Sequence, residues 1–250
     1  MHIHFVIHEA FEAPGAYETW AKHHDYLITY TKLHTGDSFP QNVTEIDVLI
    51  VMGGPQNPNT SVEECRYFDS KVEQAFIAKA VHSGKAVIGV CLGSQLIGEA
   101  LGAPYEHSPE VEVGKFPIML TDAGVSHELF SHFGRSLDVG HWHNDMPGLT
   151  QEAQVIAHSE GCPRQIVAYS ELVFGFQCHM ELTKEVVALL VKNEDMDRIS
   201  ENHFVETPER LLNHNYDDMN EKLHQFLDKV VARYQRQVPV GKSHQLKSKL

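Results

Sequence analysis

Short apolar runs alternate with helical patterns along the N-terminal part of the chain. The runs predict strands at residues 3–7, 26–31, 47–52 and 86–90, and the helical patterns predict helices at 15–24, 66–82 and 93–101. The runs at 47–52 and 86–90 are almost continuously apolar, which is typical of central parallel strands that are buried on both faces. This order of elements predicts an α/β protein with an open, mostly parallel twisted sheet and helices on both faces.

The pattern changes in the second half of the chain. Further strand-like segments lie at 111–120, 155–158, 166–169 and 173–177, and the chain becomes helical after residue 182. Thr207 and Pro208 form a typical helix start, with a capping hydroxyl before a proline. A later apolar stripe from Met219 to Tyr234 has helical spacing, so we expect it to cover the chain's own core or to form a homodimer interface.

The changes of pattern suggest a division of the chain into two parts. We expect a main domain over residues 1–195 and a C-terminal helical appendage over residues 196–250. Residues 233–250 hold five Lys and Arg and no acidic residue, which predicts a solvated, poorly ordered basic tail.

Composition narrows the classes of partner. The 250 residues carry 20 Lys and Arg against 34 Asp and Glu, and a net charge of −14 argues against nucleic-acid binding. No run approaches the roughly 18 apolar residues of a membrane span, and no secretory leader is visible. The four cysteines form no Cys-x-x-Cys pair and are too few for a disulfide framework, so we expect a cytoplasmic protein that binds a small molecule.

The segment around Cys91 carries the strongest chemical signal. A buried strand leads into Cys91 and a helix follows, with Gly89 and Gly93 two residues away on either side. This spacing is that of a nucleophile elbow, in which the glycines make room for a sharp turn between strand and helix. The helix N-terminus favours a thiolate, and the Leu92 N–H would point to where an oxyanion forms.

Two further segments supply the groups that a nucleophile needs. His179 lies at the end of a predicted strand and Glu181 follows two residues later, so the carboxylate can orient the imidazole as a general base. Gly54 ends another strand, and its N–H is the best candidate for a second oxyanion donor.

These segments together resemble the class I (triad) glutamine amidotransferase family, most closely stand-alone proteins similar to the amidotransferase domain of GMP synthase. The resemblance implies a flavodoxin-like sheet and a Cys91–His179–Glu181 triad that removes the side-chain amide of glutamine through a thioester. It further implies that Gln95, Asn144 and Asp145 bind the substrate. The segments that carry it are Val51–Pro55, Gly89–Gln95, Gln177–Glu181, Glu112–Gly114 and a loop at His141–Asp145.

Three positions depart from the family pattern. Cys178 replaces a common aromatic residue, Met180 replaces a common proline, and Asn144 stands where glycine is typical. The first two leave the triad intact, and we expect Cys178 to fill space as a small packing residue. Asn144 alters the backbone that the resemblance assigns to substrate binding.

Several alternatives remain open. The enzyme could release ammonia for a synthetase in a separate chain, or act alone as a γ-glutamyl peptidase or hydrolase. A non-catalytic regulatory subunit is a second alternative. A metallohydrolase is suggested only by histidine pairs that lack a recognisable carboxylate partner, so we expect no metal. We also expect no cofactor, because the chain has no phosphate-binding or dinucleotide-binding glycine motif. The histidine pairs are His2 and His4, His23 and His24, and His141 and His143.

Overall fold

One sheet of ten strands organises the structure, a computed structural model that describes residues 1–237. The strands are β1 (His2–Ile7), β2 (Leu27–Lys32), β3 (Val48–Val51), β4 (Ala86–Val90), β5 (Glu106–Leu120), β6 (Ser136–Met146), β7 (Gln154–His158), β8 (Ile166–Ser170), β9 (Val173–Phe176) and β10 (Phe204–Val205). The helices are α1 (Ala16–His23), α2 (Ser70–His82), α3 (Leu92–Ala100), α4 (Asp122–Ser126), α5 (Lys184–Asn193), α6 (Met196–Ile199), α7 (Pro208–Asn213) and α8 (Asp217–Gln237).

The sheet has a parallel half and an antiparallel half. Its order is β10-β5-β7-β8-β9-β4-β3-β1-β2, and β6 pairs with β5 outside this path. Strands β2, β1, β3, β4 and β9 run parallel, whereas β9, β8, β7 and β5 pair antiparallel. The predicted open α/β sheet with helices is confirmed, and its strands divide almost evenly between the two pairing modes.

Both faces of the central strands are buried, as their apolar sequences predict. Alternate residues of β3 enter different cores: Val48 and Ile50 pack on the face that carries α1 and α8, whereas Leu49 and Val51 pack on the face that carries α2 and α3. This alternation follows from the two-residue period of a strand. It fixes β3 and β4 between two helical layers, and their carboxyl ends open at one edge of the sheet.

Helix α8 packs into the chain's own core. Its apolar stripe from Met219 to Tyr234 is at most 5% exposed and belongs to the same cluster as the sheet. An exposed residue of α8 also contacts α1, since Trp20 donates from Nε1 to Asp228 at 2.8 Å. The stripe is therefore intramolecular cover, which decides between the two expectations for it.

The C-terminal part also corrects the expected tail. Residue 233 belongs to α8, where the Arg233 guanidinium donates to Glu128 and Glu171 at 2.7 and 2.6 Å, so the helix continues past the predicted start of the tail. Residues 238–250 lie outside the described part of the chain. Thr207 caps α7 by accepting from the Arg210 N–H, as predicted. Among the described residues, no helix combines the length and apolar character needed to cross a bilayer.

The segment His141–Asp145 corrects the resemblance. It lies inside the eleven-residue strand β6, not in a loop. Its residues pair with β5 in register, with Trp142 opposite Val113 and His143 opposite Glu112. Side chains of this segment therefore alternate between the two faces of the strand.

Candidate active site

Cys91 occupies a strained turn between β4 and α3. Its backbone has φ 50° and ψ −110°, and Cys91 and Asp25 are the non-glycine residues with positive φ among those described. Such a conformation costs an L-residue of order 1–3 kcal/mol, and it persists only when the surroundings enforce it. The Cys91 N–H donates to the Phe176 carbonyl at 2.7 Å, which ties the turn to the end of β9.

The two elbow glycines are required by close backbone contacts. A Cβ at Gly89 would lie 2.3 Å from the Gly93 carbonyl oxygen, and a Cβ at Gly93 would lie 2.1 Å from the Val51 carbonyl oxygen. Both distances are far below contact distance and involve backbone atoms. The predicted steric reason for the glycines is confirmed, and the turn directs the sulfur of Cys91 out of the sheet.

His179 and Glu181 form a buried pair beside this turn. His179 Nδ1 lies 2.7 Å from Glu181 Oε1, and both side chains are at most 2% exposed. The His179 N–H donates to the Gly140 carbonyl at 2.8 Å, and the Ala16 N–H donates to the Glu181 carbonyl at 3.0 Å. Backbone bonds to β6 and α1 thus hold both residues in place.

The ring of His179 has one nitrogen committed and one open. Nδ1 faces Glu181, whereas Nε2 is buried and makes no hydrogen bond of ordinary geometry within the described part of the chain. Burial lowers the pKa of His179, but the charges of Glu181 and Cys91 and hydrogen bonds to both outweigh it and hold this pKa well above its usual value. This favours the imidazolium form of His179 beside the Cys91 sulfur.

The glycine loop after β3 packs against the same turn. A Cβ at Gly53 would lie 3.4 Å from the Cys91 Cβ, and a Cβ at Gly54 would lie 3.0 Å from Leu92 Cδ2. Leu92 is the first residue of α3, so its N–H is one of the helix's free donors. The structure therefore brings Gly54, Cys91 and Leu92 together, as the sequence predicts.

The other three predicted residues have different surroundings. Gln95 is 3% exposed, and its Nε2 donates to Gln177 Oε1 at 3.2 Å. Asp145 is 6% exposed and accepts from His107 Nδ1 at 2.6 Å, whereas Asn144 is exposed on β6. Their roles in substrate binding stay predictions.

Comparison with known proteins gives the family. The family described as Glutamine amidotransferase class-I matches residues 19–193. The chain belongs to this family. Glutamine amidotransferase-like protein YfeJ of Salmonella typhimurium is 51% identical over 236 residues, which cover 94% of this chain and 99% of that protein.

Two other matches are a curated relative and a solved structure. A probable GMP synthase of Leptospira interrogans is 26% identical over 161 residues, which cover 63% of this chain and 24% of that protein. The crystal structure of SMU.1228c superposes with a TM-score of 0.91 at 45% identity, over 92% of this chain and all of that one. The predicted family and its likeness to GMP synthase are confirmed.

A buried pair under the glycine loop was missed by sequence reasoning. His8 Nδ1 lies 3.0 Å from the Gly53 carbonyl, and its Nε2 lies 3.1 Å from both oxygens of Glu73. Both ring nitrogens face acceptors, so the ring is a doubly protonated donor. Burial lowers the pKa of His8, but Glu73 and the bond to Gly53 raise it above its usual value. The pair holds the loop that carries Gly54.

Glu12 is a second residue that the sequence did not single out. A Cβ added at Gly53 would lie 2.7 Å from Glu12 Oε2 and 3.4 Å from the Cys91 Cβ. The side chain is 8% exposed, and burial is the main reason that the pKa of Glu12 rises to about 7. Its place in the loop after β1, at the carboxyl end of a parallel strand, was the available signal.

Replacing Glu12 by glutamine tests this burial through stability. The folded state holds its proton up to about pH 7, whereas the unfolded chain loses it near pH 4.5, so the wild type loses stability between these values. We expect Glu12→Gln to remove this loss, so that its stability relative to wild type improves by about 2.5 kcal/mol from pH 5 to pH 8. Urea unfolding at both pH values measures it. The exposed Glu63→Gln is the control, and an equal, flat difference for both variants would contradict the expectation.

The histidine pairs differ in their surroundings. His2 Nε2 and His4 Nδ1 lie 2.7 and 2.8 Å from the same Thr29 hydroxyl oxygen, so a hydroxyl and not a carboxylate joins this pair. His141 and His143 instead face the buried Glu112, whose Oε2 lies 3.7 Å from His141 Nδ1 and 3.3 Å from His143 Nε2. The expectation that no carboxylate accompanies a histidine pair is therefore wrong for His141 and His143.

Proposed function

We propose that this protein hydrolyses the side-chain amide of glutamine, or a related γ-glutamyl amide, through a thioester on Cys91. The observation that carries the proposal is the arrangement at one sheet edge. Cys91 stands at a helix N-terminus, and His179 has Nδ1 on Glu181 and Nε2 free for the thiol. The family match supports the same chemistry.

Each residue has a role in the proposed reaction. The Cys91 thiolate attacks the amide carbon, and the Gly54 and Leu92 N–H groups hold the oxyanion that forms. The His179 imidazolium protonates the leaving nitrogen, so ammonia or an amine departs and a γ-glutamyl thioester remains on Cys91. Neutral His179 then takes a proton from water, which attacks the thioester and releases the γ-carboxylic acid and the Cys91 thiolate beside the regenerated imidazolium. The net change is an amide and water converted into an acid and an amine.

Glu181 keeps the histidine in the required state. Its carboxylate fixes the Nδ1–H tautomer and stabilises the imidazolium that forms during both steps. Gln95, Asn144 and Asp145 are proposed to bind the α-amino and α-carboxylate end of the substrate. No cofactor takes part in this sequence of steps.

The fate of the released nitrogen depends on the partner. The chain covers 24% of the GMP synthase that it resembles, but 99% of YfeJ. YfeJ thus has little length outside the matched region, which supports a stand-alone hydrolase of γ-glutamyl amides or peptides over a fused synthetase. Transfer of ammonia to a synthetase in a separate chain is the second candidate. Four free cysteines support a cytoplasmic setting for either.

A substrate screen tests the proposed function. Glutamine, γ-glutamyl dipeptides and glutathione conjugates are each incubated with the protein, and released ammonia or amine is measured. We expect release from at least one of them, with no release by Cys91→Ser. Preference for γ-glutamyl peptides identifies a stand-alone hydrolase, and preference for glutamine identifies an ammonia donor. Release that persists undiminished in Cys91→Ser, or no release from any compound, would overturn the proposal.

Glu181→Gln tests how His179 is tuned. Loss of the carboxylate charge lowers the pKa of His179, because that charge helps to raise it. The imidazolium is then lost at a lower pH, so the alkaline limb of the kcat/KM profile moves to lower pH. We also expect kcat/KM to fall by about 10²–10⁴-fold. The control is Glu185→Gln, an exposed acid on α5. An unchanged alkaline limb in Glu181→Gln would show that Glu181 does not tune the base.

A further inference from the structure

A second cluster of buried polar groups lies between β5 and β6, outside the proposed triad. It consists of Glu112 from β5 and His141 and His143 from β6, which are 1%, 0% and 6% exposed. One potential ligand atom from each of the three lies within 4.8 Å of the others. Ser159 and Gln165 donate to Glu112 Oε2, whereas Glu112 Oε1 and the Nδ1 atoms of both histidines have no hydrogen-bond partner among the described residues.

The hydrogen bonds around His141 show where its lone pair points. Its Nε2 lies 3.2 Å from the Phe116 carbonyl oxygen, which can only accept, so Nε2 carries the hydrogen. In the neutral ring Nδ1 is then unprotonated. Nδ1 lies 3.7 Å from Glu112 Oε2 and has no hydrogen-bond partner among the described residues. Two acceptors therefore face each other in a buried space.

His143 presents a lone pair to the same point. Its Nε2 lies 3.1 Å from Gln165 Nε2, an amide nitrogen that donates to Glu112 Oε2 at 2.6 Å. The same amide nitrogen also lies 2.9 Å from the Ser159 hydroxyl oxygen, so its two hydrogens face three neighbours, of which His143 is the farthest. His143 Nε2 lies 3.3 Å from Glu112 Oε2, and His143 Nδ1 has no hydrogen-bond partner among the described residues, so a ring protonated at Nδ1 presents the Nε2 lone pair to Glu112. In this tautomer the lone pairs of Glu112 Oε2, His141 Nδ1 and His143 Nε2 converge where a cation would be stabilised.

The spacing agrees with a small divalent ion. Ligand bonds of about 2.0–2.1 Å in a tetrahedral site separate neighbouring ligand atoms by about 3.3–3.5 Å. The observed separations from Glu112 Oε2 are 3.3 and 3.7 Å. Glu112 Oε1 and Gln165 Oε1 are further buried oxygens without hydrogen-bond partners in the described part of the chain.

We propose that Glu112, His141 and His143 bind one zinc ion at a site separate from the triad. Two imidazoles and a carboxylate are a donor set that suits zinc. The bond from His141 Nε2 to the Phe116 carbonyl is the outer contact that commonly orients a metal-ligating histidine. This proposal does not depend on the proposed reaction.

The ion would stabilise the strand that supports the triad. Between the two histidines, the Trp142 carbonyl oxygen lies 3.7 Å from Cys91 Sγ, and next to His141 the Gly140 carbonyl accepts from the His179 N–H at 2.8 Å. Clamping β6 to β5 at His141 and His143 would fix both carbonyls. The ion therefore acts on the position of β6 and touches no reacting atom.

Metal content of the intact protein tests the proposal. Because the ligands are buried, the protein is produced with zinc in the medium, dialysed against metal-free buffer and measured by elemental mass spectrometry. We expect about one zinc per chain in the wild type. Glu112→Gln and His143→Gln are expected to bind zinc at least about tenfold more weakly and to lose it on dialysis. His2→Gln, from the pair without a carboxylate, is the matched control and should keep the ion.

Two outcomes would overturn the proposal. One is a wild type that retains well below one equivalent of zinc, which would leave a hydrogen-bonded network only. The other is equal retention by Glu112→Gln and the wild type, which would assign the zinc to other histidines. Should the variants fail to fold, X-ray absorption at the zinc edge of the wild type decides. Two imidazole nitrogens and carboxylate oxygen are expected, and a sulfur-containing or all-oxygen shell would reject the site.

Discussion

Replacing Cys91 by serine is expected to lower kcat by at least about four orders of magnitude. A serine hydroxyl fits the same turn but is not ionised by His179 in the ground state, so the attacking anion is lost. The elbow, the two oxyanion donors and the His179–Glu181 bond stay in place. The measurement is kcat on the best substrate of the screen, with circular dichroism and thermal unfolding to show an intact fold.

Two other cysteines separate this loss from a general effect of removing sulfur. Cys65 is partly exposed, and its sulfur accepts from Gln56 Nε2 at 3.5 Å, so Cys65→Ser should keep wild-type activity. Cys178 is fully buried, and burial raises the pKa of its thiol well above the usual value, so it is not a competing nucleophile. Wild-type activity in Cys91→Ser, or comparable loss in Cys65→Ser, would reject Cys91 as the nucleophile.

Gly93→Ala is expected to destabilise the protein by about 3 kcal/mol or more. The added Cβ would lie 2.1 Å from the Val51 carbonyl oxygen, and this oxygen belongs to the central strand β3. Neither β3 nor α3 can yield without disturbing the elbow, because both are buried on all sides. Urea unfolding gives the stability, and any folded fraction should have much lower activity.

Gly102→Ala provides the matched control for a glycine substitution. Gly102 has φ +82°, and a Cβ there would meet no atom within 4 Å. Gly102→Ala is therefore expected to lower the stability only through the left-handed backbone conformation, by about 1 kcal/mol. Equal destabilisation by the two variants would show that backbone strain, rather than the contact with Val51, explains the requirement for Gly93.

The structural features that the sequence predicts correctly are those determined by residues that are close together in the chain. The nucleophile and both glycines of the elbow lie within five consecutive positions. A side chain at either glycine would collide with backbone atoms of the same turn or of the adjacent strand. His179 and Glu181 are two residues apart, so their contact is also local. The apolar runs of β3 and β4 predict central strands because both faces are buried.

Residues placed by long-range register were missed or misassigned. The segment His141–Asp145 was taken for a loop because it resembles a loop of the family, yet it is a strand that pairs in register with β5. Glu112 meets these histidines only through that strand pairing. Glu12 reaches the elbow only because parallel strands bring their loops to one edge. No local pattern encodes such meetings.

In the proposed reaction, a γ-glutamyl group becomes attached to Cys91 as a thioester. An acid quench during turnover of the best substrate, followed by proteolysis and peptide mass spectrometry, detects this intermediate. We expect a γ-glutamyl adduct on the peptide that contains Cys91, which disappears when hydroxylamine is added and is recovered as a γ-glutamyl hydroxamate. Turnover without hydroxamate, or an adduct on Cys65, Cys162 or Cys178 in place of Cys91, would contradict it.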